Sequence, residues 1–82
     1  MKVANATGGN AVLDLRQTPC RQRPLSVFQV FDRLAPGEAF EVVNDHDPMG
    51  LFHYLQTAIP GDFTWDYLVR GPQEWRVRIG RA

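Results

Sequence analysis

The segment Asn44-Asp45-His46-Asp47-Pro48 sets two carboxylates and an imidazole between an apolar strand pattern and an amphipathic helix pattern. With His53 arriving from the helix that follows, these side chains offer nitrogen and carboxylate oxygen donors, a set that suits zinc, iron or manganese. Asp45, His46 and His53 are therefore the candidate metal ligands. Their spacing matches no zinc or iron signature. The same residue types also tie loops together by bonding backbone amides, so a purely architectural role competes with a divalent metal such as Zn or Fe.

Cys20 is the second chemical feature. It stands just before a helix pattern and among Arg16, Arg21 and Arg23, and both a helix N-terminus and nearby cations favour the thiolate. A thiolate can take up a sulfane sulfur as a persulfide and pass it on. An ordinary loop cysteine is the competing reading. Being the only cysteine in the chain, Cys20 has no internal disulfide partner.

Positioning these residues requires a sheet and two helices. Ala11 to Arg16 alternates Leu13 and Leu15 with Asp14 and Arg16, the pattern of a half-buried strand. After a loop over residues 17–23, Pro24 opens a helix whose apolar positions are Leu25, Phe28, Phe31 and Leu34, and Pro36-Gly37 stops it. Glu38 to Val43 alternates again. Asp47 is placed as the N-cap of a second helix, Pro48 to Ala58, with Pro48 at its first position. Phe63, Trp65, Tyr67 and Val69 alternate with Thr64, Asp66, Leu68 and Arg70, and Trp75, Val77 and Ile79 with Glu74, Arg76 and Arg78, which predicts a hairpin about the turn Gly71-Pro72-Gln73.

The order β-α-β-α-β-β predicts an α/β (α+β) two-layer sandwich: a mixed four-stranded sheet with two helices on one face. The aromatics are better explained as core under those helices than as a ligand box. On the open face, Arg76 and Arg78 face Asp66 as a candidate protein-docking surface or a solvated ion-pair face. If the first two strands are parallel, the loops after both leave from one edge of the sheet, where ligands of open α/β sheets collect. Cys20 and His46 then share a rim. Both helix N-termini point there, and with Arg21 and Arg23 they could hold an anion or a partner's carboxylate, with Asp45 and Asp47 opposing it.

Composition narrows the function classes. The chain's 82 residues make a single domain whose core uses most of its apolar residues, since folding at this size buries only about 60 to 65 % of the unfolded surface. Residues 1–10 are expected to be a flexible leader and 11–82 the folded domain. Nine basic and nine acidic residues balance to zero charge, which removes the electrostatic pull of a nucleic-acid or anionic-membrane binder. No signal peptide or spanning segment is evident, and the expected location is cytoplasmic.

The stretches Asp14-Leu15-Arg16, Pro36-Gly37-Glu38, Asn44 to Pro48, and Gly71-Pro72 with Glu74 to Arg81 resemble a bacterial family known as domain of unknown function 2249. Members of that family are found alone or beside hemerythrin-like domains, which implies a protein partner in redox or nitrogen-oxide physiology. A more distant resemblance is to the TusA/SirA-like sulfur carriers, which share the element order and the Leu13 to Cys20 spacing. Those carriers follow the cysteine with proline, any residue and proline, and here Cys20 is followed by Arg21-Gln22-Arg23-Pro24.

These readings converge on a small non-enzymatic accessory domain, sulfur-carrier-like or redox related, acting through the Cys20/His46 edge and through contacts with a sulfur-transfer or hemerythrin-like protein. Its candidate ligand- or partner-binding residues are Arg16, Arg21, Arg23, Asp45, His46 and Asp47. The alternatives are a metal- or small-ligand-binding module built on Asp45, His46 and His53, and a purely protein-interaction domain. Enzymatic turnover has least support, because no nucleophile, base and orienting group recur at a known spacing.

Overall fold

The alternation at the start of the chain buries Ala11, Leu13 and Leu15 and turns Val12, Asp14 and Arg16 outward. In the computed structural model, which describes residues 11–82, this segment forms β1 (Val12–Asp14). The leader assigned to residues 1–10 lies outside the described residues. Parallel pairing continues beyond both ends of β1, because Glu41 N–H donates to the Ala11 carbonyl and Leu15 N–H to the Val43 carbonyl, each at 2.9 Å.

A single 3₁₀ turn, Cys20–Gln22, runs directly into α1 (Arg23–Phe31). The remaining elements are β2 (Ala39–Asn44), α2 (Met49–Ala58), β3 (Phe63–Arg70) and β4 (Trp75–Arg81). The strand order is β1-β2-β4-β3: β1 is parallel to β2, and β4 is antiparallel to both its neighbours. The sheet is therefore mixed, as the element order predicts, and β4 is inserted between the two strands that α2 connects.

One core joins the layers. Leu13, Leu15, Phe40, Val42, Val77 and Ile79 from the sheet side pack with Val27, Val30, Phe31, Leu34, Leu51 and Leu55 from the helical side. Phe52 of α2 meets Phe63 and Trp65 edge-on, with centroids 5.9 and 5.2 Å apart, a geometry that the ring quadrupoles favour. Phe63, Trp65 and Tyr67 thus pack, half-buried, against the core under the helices.

Two inward positions differ from the periodic reading. Leu25 is 57 % exposed, because the helix begins at Arg23 and its buried stripe runs through Arg23, Val27, Val30 and Phe31. Val69 leaves the inner face because a register shift between Tyr67 and Val69 sets Tyr67 opposite Val77 but Val69 opposite Arg76. One extra residue in an antiparallel strand exchanges the faces beyond it. Arg70 takes the inner position opposite Trp75, with its guanidinium 4.2 Å from the Tyr67 ring centroid.

On the open face, Arg78 lies opposite both Asp66 and Glu41. Arg76 is bound to Glu41 at 2.9 Å and to Glu74 at 3.4 Å. Among the described residues no helix is long and apolar enough to cross a membrane.

Candidate functional site

Because β1 and β2 run parallel, the chain leaves both at the same edge of the sheet. The loop after β1 turns through Thr18 N–H to Leu15 carbonyl and Gln22 N–H to Pro19 carbonyl bonds, at 3.0 and 2.9 Å, and delivers Cys20 to that edge. β2 ends at Asn44 and passes through Asp45 to Pro48 into α2. Between the two connections lies a cavity of about 320 Å³, lined by Cys20, Arg23, Pro24, Asn44, His46, Pro48, Gly50 and Leu51. Cys20 and His46 line one cavity.

Arg23 is the hub of this edge. Only 8 % exposed, it donates from Nε to the Thr18 carbonyl at 2.8 Å, and from Nη1 to Asp45 Oδ1 at 3.2 Å and Asn44 Oδ1 at 3.4 Å. A planar guanidinium can hold several acceptors at once in fixed directions. His46 donates from Nδ1 to Asp45 Oδ1 at 2.6 Å, since an ionised carboxylate only accepts, and Nε2 is then the nitrogen free to take a proton or a ligand. Arg23 first and His46 second lower the pKa of Asp45 from 3.8 to about 2. Arg23, Asp45 and His46 form a continuous chain of polar contacts.

Asn44 is 2 % exposed, and its side-chain amide nitrogen has no hydrogen-bond partner among the described residues. Its orientation is fixed by Arg23: exchanging amide O and N would press an NH₂ against a guanidinium, donor against donor. A buried donor left unpaired costs about 1 to 3 kcal/mol. The inward face of β2 reads Phe40, Val42, Asn44, so the signal for this residue was a polar side chain at an apolar-period position.

The first turn of α2 completes the wall. Pro48 occupies the N-cap position with no side-chain cap, and Gly50 and Leu51 from that turn line the cavity. The expectation that Asp47 caps the helix is corrected: Asp47 Oδ1 accepts from the Tyr67 hydroxyl at 2.8 Å. That contact comes from β3, across 20 positions of sequence, and outcompetes local capping.

The other sequence candidates disperse. Arg16 is clasped by Asp14 at 2.7 Å and lies 3.8 Å from Glu74, while Arg21 is exposed and does not line the cavity. Of the three arginines around Cys20, only Arg23 reaches it. His53 is exposed on α2 with its ring edge-on to Phe52, centroids 5.7 Å apart. Among the described residues no group of three or more His, Cys, Asp or Glu side chains is placed to hold a metal ion. Asp45, His46 and His53 therefore do not assemble a ligand set.

Fold and edge define a small α/β domain with a largely apolar cavity that has a polar end at Arg23 and Asn44 and is lined by the free cysteine Cys20. A family model described as an uncharacterized conserved protein, DUF2249, matches residues 12–81. The chain belongs to that family. Comparison with curated proteins and with solved structures finds no match.

Proposed function

We propose that this chain is a small non-enzymatic accessory domain, sulfur-carrier-like or redox related, that works in the cytoplasm through the cavity at the carboxyl edge of β1 and β2 and hands its cargo to a protein partner. The observation that carries this reading is the presence of Cys20 and His46 in one cavity wall. Cys20 is exposed and opens the turn that leads into α1, so a donor protein can reach it. His46, held by Asp45, keeps a nitrogen available as base or charge partner for the thiol.

In the sulfur-relay form of the reading, the Cys20 thiolate attacks the outer sulfur of a donor persulfide. A new S–S bond forms on Cys20, the donor's S–S bond breaks, and the donor leaves as a thiolate, with no net oxidation. Support from the sequence is the Leu13 to Cys20 spacing. The hemerythrin-like association of the family favours a redox protein as the partner.

The test is intact-protein mass spectrometry after incubation with a persulfide donor. The account expects one added sulfur on Cys20, none on Cys20→Ser, and slower uptake by His46→Gln. A Cys20 that takes up no sulfur removes the sulfur-relay reading.

A further inference from the structure

The orphaned amide of Asn44 points to a ligand. We propose that the cavity binds the oxyanion head of a small organic acid or phosphomonoester, held by the Asn44 amide, the Arg23 guanidinium and the first turn of α2. The proposal rests on this cavity being the working site, and it is independent of what the Cys20 thiol does.

The unmet groups here are donors. Asn44 Nδ2 carries two hydrogens and, though buried, makes no hydrogen bond to the described residues. Arg23 uses Nε on Thr18 and Nη1 on Asn44 and Asp45, and Nη2 makes no hydrogen bond to the described residues. The first N–H groups of a helix lack intrahelical acceptors, and α2 supplies no side chain to cap them. A ligand rich in acceptors and carrying negative charge complements this set; a cation does not.

Room and shape agree with a head group plus a body. A cavity of about 320 Å³ falls at the small end of organic-ligand sites. Pro24, Pro48 and Leu51 furnish apolar wall beside the polar end. At Gly50 a Cβ would meet nothing within 4 Å, so the backbone of the first turn is open to close approach. The opposing charges are Asp45, whose Oδ1 is already engaged by both Arg23 and His46, and Asp47, whose Oδ1 accepts from the Tyr67 hydroxyl.

The experiment titrates the full ¹⁵N-labelled chain with inorganic phosphate and, separately, with butyrate, following the Asn44 side-chain NH₂ and the backbone amides of Gly50 and Leu51. Saturable shifts of all three signals are expected with at least one anion, and the one that saturates at lower concentration identifies the head group. Asn44→Asp, which keeps the acceptor for Arg23 and replaces the donor, should weaken binding about tenfold, the value of one charge-assisted hydrogen bond. If that variant fails to fold, Gly50→Val, which fills the approach and leaves the amide intact, should weaken binding instead. Absence of a saturable shift at Asn44 with both anions overturns the proposal, as does unchanged affinity in the folded variant. The unsubstituted chain separates the two readings: saturable anion shifts without sulfur uptake on Cys20 remove only the thiol reading, and sulfur uptake without saturable shifts at Asn44 removes only this one.

Discussion

Arg23 Nη1 and Asn44 Oδ1 meet at 3.4 Å across 21 positions of sequence, tying the first turn of α1 to the last residue of β2. The contact fixes the direction of the Asn44 amide, and both residues line the cavity. Arg23→Ala would strip the Thr18 carbonyl and Asn44 Oδ1 of their donor in a buried place, so urea unfolding should show a loss of about 2 kcal/mol. Arg23→Lys should recover less than half of that, because an ammonium on a flexible stem cannot reproduce the planar fork. Full stability in Arg23→Lys would show that charge alone matters here.

Asp45 gives the edge a pH dependence of definite sign. Its folded value, about 2, lies below its ordinary 3.8, so the unfolded chain binds the proton more tightly. The stabilisation is present above 3.8 and is lost as pH falls through about 2. Carboxyl-carbon NMR should record the depressed midpoint. In Arg23→Ala it should move up toward the ordinary value, because Arg23 is the larger cause. A midpoint unchanged by that substitution contradicts the assignment.

Tyr67 ties the loop before α2 to the sheet, donating to Asp47 Oδ1 at 2.8 Å and approaching Met49 Sδ at 3.2 Å. Burial first, and Asp47 second, raise its phenol above 10.0. The folded value exceeds the unfolded one, so this contribution is complete below pH 10.0 and is lost as pH rises through the folded value. Tyr67→Phe should cost about 1 kcal/mol at neutral pH and remove that alkaline component, as read by thermal melts at increasing pH. Equal alkaline sensitivity in both proteins would exclude Tyr67 as its source.

Phe40 is fully buried opposite Ile79 at the centre of the sheet. Phe40→Ala should destabilise by about 3 to 5 kcal/mol through lost burial and the cavity left behind, a large share of the stability of so small a domain. Chemical denaturation measures it. A loss below 1 kcal/mol would mean the sheet and helices are not joined through this residue.

The layer architecture was legible because its determinants are local: alternation at Leu13, Phe40, Val42, Val77 and Ile79, and proline and glycine punctuation around both helices. The shared edge of Cys20 and His46 followed from one topological step, the parallel pairing of β1 with β2. What escaped reading depends on distant partners. Asp47 has the type and position of a cap, yet Tyr67 claims it from β3. Asn44 looks like a loop residue until β2 is seen to extend to it, and Arg23 becomes a buried hub only when Asn44, Asp45 and Thr18 surround it. Val69 moved to the open face because of the register shift beside it, whose one trace in the sequence is Leu68, an apolar residue at an outward position of the alternation.

The most direct test labels Cys20 with N-ethylmaleimide and compares the two histidine rings by NMR. A thiol and an imidazole in one cavity require the His46 ring signals and the Asn44 side-chain amide to shift strongly on labelling, while those of His53, edge-on to Phe52, stay in place. A His46 ring that ignores the label, or a His53 ring that responds as strongly, would contradict the shared cavity.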